Sequence, residues 1–240
     1  MSRVRVHNFA LSLDGFGVGE GISEEEPFGH AGTRLHEWMF ATRMGRALMG
    51  REGGTTGTDD DLARATWDGV GAEIMGRHKF HTGTGELPPD WHGPWGANPP
   101  FHTPVIVLTH HPRPPIVMEG GTTFHFRDAP PATALDEARR LAGGLDVRLG
   151  GGVRSLRDFL DADLVDDLHL VVVPVVLGRG QRLWTGSKGS SAAMTSASSP
   201  ATTASPTSSR PGRAGRLLSA AGRRRAASES GGRDGPSIRR

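Results

Sequence analysis

The sequence predicts an α/β protein in which a central mixed β-sheet is flanked by helices. Short apolar runs rich in β-branched residues and bounded by turn residues alternate with segments of helical periodicity. A glycine triplet also separates one predicted strand from a predicted amphipathic helix, as in the strand–turn–helix units of parallel sheets. The core strands are expected to include the most apolar runs, which are Val105 to Thr109, Asp146 to Leu149 and His169 to Leu177.

The first half of the chain is predicted to contain two strands, a long loop and two helices. Alternation of apolar and polar residues predicts a strand over Val4 to Leu13, and a Gly- and Glu-rich loop follows from Asp14 to Thr33. A loop of that length inside a compact domain is usually functional. Helical spacing predicts helices over Leu35 to Leu48 and over Asp59 to Gly71, the second with acids at its start. A short buried strand is expected at Ala72 to Met75.

The second half alternates between strands and helices more regularly. Gly76 opens the next helix or turn, and a Pro- and Trp-rich loop is expected from Leu87 to Pro104. The remaining predicted elements are the strands Val105 to Thr109 and Thr122 to Arg127, the helix Ala132 to Ala142, the strand Asp146 to Leu149, the helix Val153 to Ala162 and a buried strand from Asp167 to Leu177.

Composition excludes several classes of protein. The chain of 240 residues has no cysteine, which excludes disulfides, thiolate metal sites, cysteine nucleophiles and the cysteine-ligated zinc site of a deaminase domain. No apolar run approaches the roughly 18 residues of a membrane span, and no signal-peptide pattern is seen at the N-terminus. A cytoplasmic protein is therefore expected. The His-His pair at 110 and 111 is a poor chelate on an extended chain, so no metal site is expected.

Charge divides the chain into a predicted domain, residues 1–186, and a tail, residues 187–240. The tail holds 10 of the 28 Lys and Arg residues but only 2 of the 26 acids, so the basic pI belongs to it. A nucleic-acid partner is therefore not favoured for the domain. The tail is a low-complexity Ser-, Ala- and Arg-rich segment that we expect to be disordered. Three interpretations remain open for it: a linker-like extension, a shifted reading frame that replaces the closing strands of the domain, and a basic arm that binds nucleic acid.

The glycine triplet Gly150, Gly151 and Gly152 is a candidate phosphate site. Backbone N–H groups and the helix dipole favour an anion at the start of a helix that follows such a turn. A simple tight turn is the alternative interpretation. An ordinary Rossmann unit is disfavoured, because Leu164 to Asp167 offers no acid that closes a strand about 20 residues later.

Four motifs, spread over about residues 3 to 186, occur together in one known family. They are VHNFALSLDGF at Val6 to Phe16, IMGRHKF at Ile74 to Phe80, VIVLTHH at Val105 to His111, and the run from Leu145 to Trp184 with its GGG and LVDDLHL segments. In these motifs the chain resembles the dihydrofolate-reductase-like proteins grouped with the C-terminal reductase domain of the riboflavin-biosynthesis deaminase-reductase.

The resemblance implies a dihydrofolate-reductase-like fold and an NADPH-dependent reductase. Such an enzyme would pass a hydride to a C=N or C=O bond of a small pyrimidinone- or pterin-like heterocycle, as 5-amino-6-(5-phosphoribosylamino)uracil reductases do. A non-catalytic nucleotide-binding protein of the same fold is the alternative, and NADH or a deazaflavin remains open as the cofactor. The family commonly forms homodimers, which the altered C-terminus of this chain would impair.

The resemblance also assigns site residues. Asp14 would orient the substrate or relay a proton, and Asp14, Gly15 and Trp38 would contact the substrate. A turn-forming Asp-Gly pair is the alternative for Asp14. Arg77 would face the cofactor phosphates, with a solvated surface arginine as the alternative. The residues expected to bind the cofactor are Gly76, Arg77, His78, Thr109, His110, Gly150, Gly151, Gly152, Val153 and Arg154.

Overall fold

A computed structural model of the chain describes residues 2–83 and 85–185. In chain order the elements are β1 (Val4–Ser12), β2 (Phe16–Gly19), α1 (Glu37–Ala41), α2 (Arg43–Leu48), α3 (Thr58–Arg64), β3 (Val70–Gly76), α4 (Arg77–Phe80), β4 (Pro104–Leu108), β5 (Ile116–Val117), β6 (Thr123–Arg127), α5 (Pro131–Leu141), β7 (Asp146–Leu149), α6 (Val153–Asp161), β8 (Asp167–Val173) and β9 (Gly180–Arg182). The expected disorder of residues 187–240, and the three interpretations of that segment, lie outside the described residues.

The centre of the fold is a seven-stranded sheet with the order β5-β6-β4-β3-β7-β1-β8. All neighbouring strands run parallel except β5, which pairs antiparallel with β6 at one edge. Strands β2 and β9 form a separate antiparallel ribbon. The prediction of an α/β protein with a mixed central sheet is confirmed. Because six strands are parallel, their carboxyl ends meet at one edge of the sheet, where open α/β sheets bind ligands.

The core lies on both faces of this sheet. Alternate residues of β3 and β4 point to opposite sides, as the pleat requires. Ile74 and Ile106 pack with Leu156 of α6 in one cluster, whereas Met75 packs with Phe80 of α4 in the other. Side chains buried on this scale each stabilise the fold by about 1.5–3 kcal/mol. The predicted core strands at 105–109 and 146–149 are confirmed, because both lie in the interior of the sheet.

Two predicted helices differ from the structure: one is interrupted, and the other ends earlier than expected. The helix predicted over Leu35 to Leu48 is broken at Thr42, whose backbone is extended. The Thr42 hydroxyl accepts a hydrogen bond from Gly45 N–H at 2.9 Å and caps the start of α2. The helix predicted over Asp59 to Gly71 stops at Arg64, because the chain from Val70 onward is hydrogen-bonded into the sheet. The predicted end at Leu48 is confirmed, but the first helix is not continuous, and the predicted end of the second at Gly71 was wrong.

The strand predicted over Asp167 to Leu177 is shorter and less buried than expected. It ends at Val173, before Pro174, which has no N–H to donate to a strand ladder. It forms an edge of the central sheet, with β1 as its neighbour within that sheet, and Val172 is 61% exposed. The loop predicted from Asp14 to Thr33 contains β2, which pairs with β9.

Among the described residues, no helix is both long enough and apolar enough to cross a bilayer.

Candidate functional site

A cleft of about 1140 Å³ runs across the carboxyl ends of the parallel strands. Its walls include Gly76 at the end of β3, Thr109 after β4, Asp128 after β6 and Gly150 after β7. Sites for one small molecule usually span about 300–1,000 Å³. The cleft is therefore large enough for a dinucleotide and a second, smaller molecule.

The glycine turn after β7 is held against the end of β3. Gly150 N–H donates to the Ile74 carbonyl at 2.8 Å, and Gly76 N–H donates to the Gly151 carbonyl at 3.1 Å. A side chain at Gly150 would overlap the Glu73 carboxylate, so glycine is required there for packing. A Cβ at Gly152, by contrast, would have no protein atom within 4 Å. The turn thus packs inward at its first residue and presents open space at its third.

Helix α6 begins directly after this turn. No side chain caps its start, where Gly152 occupies the N-cap position. Val153 and Arg154 line the cleft, and the Arg154 side chain is exposed. An uncapped helix start beside a guanidinium group attracts anions, because the helix dipole and the full charge have the same sign.

Arg77 and His78, at the start of α4, also line the cleft. The Arg77 guanidinium donates to the carbonyls of Gly83 and, at 2.6 Å, of Gly85. Its Nε atom is buried and has no hydrogen-bond partner within the described residues. Burial and the nearby charges of Arg77 and Arg154 lower the pKa of His78. The structure therefore places Arg77 at the cleft wall, although two of its nitrogens hold the neighbouring loop.

Thr109 and His110 form the end of the cleft beyond β4. Thr109 is buried, and its hydroxyl accepts a hydrogen bond from His111 N–H at 3.1 Å. The exposed His110 ring lies 3.0 Å from an Asp128 carboxylate oxygen. All the residues predicted to bind the cofactor line this one cleft, as does Trp38 from the predicted substrate set.

Asp14 and Gly15 are not among the residues that line the cleft. The Asp14 carboxylate accepts hydrogen bonds from Leu177 N–H at 3.1 Å and Gly178 N–H at 2.7 Å. Hydrogen bonding to the Ser12 side chain and to these amides lowers the pKa of Asp14 to about 2. Asp14 is thus ionised near neutral pH and holds a turn, and its expected role beside the substrate stays a prediction. Two backbone amides from a segment distant in sequence thus bind the two carboxylate oxygens.

An ionic triad beneath the glycine turn was not predicted. Glu73 on β3 is bonded to Lys79 Nζ at 2.8 Å and to Arg148 on β7 at 2.5 Å, and Lys79 also donates to the Gly150 carbonyl at 2.8 Å. Burial alone would raise the pKa of Glu73. Arg148 and Lys79 lower that pKa by more, so it falls below its ordinary value and the carboxylate stays ionised. Burial lowers the pKa of Lys79, and the neighbouring Glu73 opposes that shift. With Lys79 protonated the triad carries one net positive charge, and both basic side chains line the cleft. A glutamate within the apolar run VGAEIMG is the signal that could have revealed it.

No three His, Asp or Glu side chains are grouped as metal ligands within residues 2–83 and 85–185.

Comparisons with known proteins add to this geometry. No curated protein sequence matches the chain. A putative riboflavin biosynthesis protein from Shewanella sp. PV-4 is similar in structure, with a TM-score of 0.47 and 19% identity over 79% of this chain and 86% of that one. A pyrimidine reductase-like protein from Corynebacterium diphtheriae gives a TM-score of 0.41 and 15% identity, over 76% of this chain and 79% of that one.

One family model matches a range of the chain that contains all four motifs. That model describes the RibD C-terminal domain and matches residues 5–205. The match covers well over half of the 240 residues and confirms the resemblance seen in the motifs. The chain therefore belongs to the RibD C-terminal domain family.

Proposed function

We propose that the protein is an NADPH-dependent reductase that transfers a hydride to a small heterocycle of the pyrimidinone or pterin kind. The observation that carries this proposal is the glycine turn, with an uncapped nine-residue helix behind it and open space in front, in a cleft with room for two molecules. Membership of the RibD C-terminal domain family supports it.

The part of the cleft lined by Arg77, Lys79 and residues 151–154, which we call the cationic half, fits the diphosphate of a dinucleotide. Backbone N–H groups at Gly151, Gly152 and Val153, together with the Arg154 guanidinium, form a donor set suited to phosphate oxygens. The buried Nε of Arg77 is a further donor without a partner in the described residues. The adenosine end would lie toward Thr109.

The rest of the catalytic contribution is electrostatic. The bound nicotinamide would supply the hydride. Hydride transfer to a C=N or C=O bond leaves negative charge on the nitrogen or oxygen until a proton arrives. Lys79, which shares Glu73 with Arg148 and also donates to the Gly150 carbonyl, lies beside the cleft and in its protonated form would stabilise that developing charge. Asp14 has no role in this scheme beyond holding its turn.

Two measurements on the full chain test the proposal. Binding of NADPH, NADH and a deazaflavin is measured by titration, and NADPH oxidation is followed with pterins, pyrimidinones and small carbonyl compounds. We expect NADPH to bind and at least one heterocycle to be reduced. Binding without turnover on any compound would favour a non-catalytic nucleotide-binding protein. Absence of NADPH binding would reject the cofactor assignment.

A further inference from the structure

The half of the cleft opposite the cationic residues has a different chemistry. It lies between strand β1 and the segment of residues 36–67 that carries α1, α2 and α3, and we call it the apolar half. Its walls are aromatic and sulfur-containing side chains, among them Phe28, Trp38, Met39, Phe40, Met44 and Trp67. Such walls favour a planar conjugated molecule, because flat rings gain both apolar burial and stacking contacts.

The apolar half offers no free cation to a phosphate group. Among its described lining residues, the basic side chains are His7, His36 and Arg148. Burial lowers the pKa of His36 to about 4. Burial, together with His169 and two nearby arginines, lowers the pKa of His7 to about 4 as well. Both rings are thus neutral near pH 7, and the Arg148 guanidinium is already bonded to Glu73 at 2.5 Å.

Polar atoms without partners mark where a ligand would be recognised. The indole N–H groups of Trp38 and Trp67 are buried and have no acceptor within the described residues. The Asn8 amide nitrogen donates to the Leu62 carbonyl at 2.9 Å and the Thr66 hydroxyl at 2.8 Å, which leaves its buried oxygen free to accept. An indole N–H can only donate, whereas an amide oxygen can only accept.

Arg148 extends this set of donors. Its Nε atom is also buried without a partner, and the residue as a whole is 9% exposed. The guanidinium lies over the Trp67 ring at 5.3 Å. Donors on Trp67 and Arg148 and an acceptor on Asn8 match the alternating C=O and N–H groups of a cyclic amide or ureide.

We infer that the substrate of the apolar half is an uncharged, planar, conjugated heterocycle with a cyclic-amide edge and no phosphate group. The inference rests on the proposed function in one respect, which is that NADPH occupies the cationic half of the cleft. It separates this chain from reductases of phosphoribosyl-bearing pyrimidines, because a phosphate would have to enter an apolar wall whose one guanidinium, that of Arg148, is already paired with Glu73.

Two matched pairs of ligands test the inference on the full chain. Riboflavin and flavin mononucleotide share one ring system and differ by a phosphate, as do uridine and uridine monophosphate. Each compound is titrated calorimetrically, alone and with saturating NADPH. We expect the unphosphorylated member of at least one pair to bind at least tenfold more tightly than its phosphate. Equal or tighter binding of the phosphates in both pairs, or no binding of any of the four compounds, would overturn the inference.

A matched pair of variants locates the binding site. Trp67→Phe keeps an aromatic ring but removes an unpartnered N–H, and it should weaken the preferred ligand about tenfold. Trp91→Phe removes an N–H that is already bonded to the Phe80 carbonyl at 2.8 Å, and it should leave the affinity unchanged. Equal effects of the two variants, with equal melting temperatures, would contradict the assignment. Wild-type protein that binds the heterocycle but not NADPH would refute the proposed function and leave this inference standing.

Discussion

Removing the charge of Glu73 is expected to be the most destabilising polar substitution in the sheet. The Glu73 side chain is 1% exposed and is bonded to both Lys79 and Arg148. Glu73→Gln would leave two cations next to each other with no carboxylate between them. Breaking a buried ion pair on one side costs about 3–5 kcal/mol. For a domain of this size each kcal/mol corresponds to about 2–4 °C, so the melting temperature should fall by about 6–20 °C.

The measurement is urea unfolding with a thermal melt, and Glu137→Gln is the matched control. Glu137 makes a bidentate contact with Arg127 at 2.7–3.1 Å, but both side chains are partly exposed. Exposed pairs contribute about 0–1 kcal/mol, so this variant should remain close to wild type. If Glu73→Gln costs less than about 1 kcal/mol, or no more than the control, then the triad does not hold the sheet and the turn as described.

Three further outcomes follow from the structure. Asp14→Asn should lower the melting temperature, because it weakens the acceptor for Leu177 and Gly178, and it should leave NADPH affinity unchanged. A loss of turnover without a loss of stability would instead support the catalytic role predicted for Asp14. Because the pKa of His36 is lowered to about 4, the unfolded chain takes up a proton first as the pH falls from about 6.5 to 4. The free energy of unfolding should decline over that pH window by up to about 3 kcal/mol. Urea unfolding at a series of pH values should show a smaller decline for His36→Gln than for wild type, and equal declines for the two proteins would refute this prediction. Sedimentation of the full chain should show a monomer if the altered C-terminus impairs pairing, and a stable dimer would contradict that prediction.

Local patterns predicted the elements that surround the site. The strand at Asp146–Leu149, the glycine turn and the helix start at Val153 depend on neighbours a few residues away. Turn residues and periodicity report such local order directly. The cofactor residues named from the motifs consequently line one cleft, because each follows the carboxyl end of a parallel strand or begins the next helix.

The remaining features depend on residues that are distant in sequence. Glu73 lies 75 residues from Arg148, and no local pattern pairs them. Asp14 binds amides 163 and 164 residues away, so its sequence context could not separate a turn-holding role from a catalytic one. An apolar run such as that of β8 can form either an interior strand or an edge strand. Only the order of the strands in the sheet shows that β8 lies at an edge.

The central claim is that a dinucleotide phosphate lies against the glycine turn, and NADPH affinity of a Gly151→Val variant tests it most directly. A Cβ at Gly151 would meet no atom closer than Phe9 at 4.0 Å, so the side chain would project into the cleft. Gly144→Val is the strain-matched control, because the two glycines have φ values of 107° and 94° and Gly144 lies outside the cleft. With similar melting temperatures, we expect Gly151→Val to bind NADPH at least tenfold more weakly than Gly144→Val. Equal, wild-type affinity in both variants would contradict the placement of the cofactor.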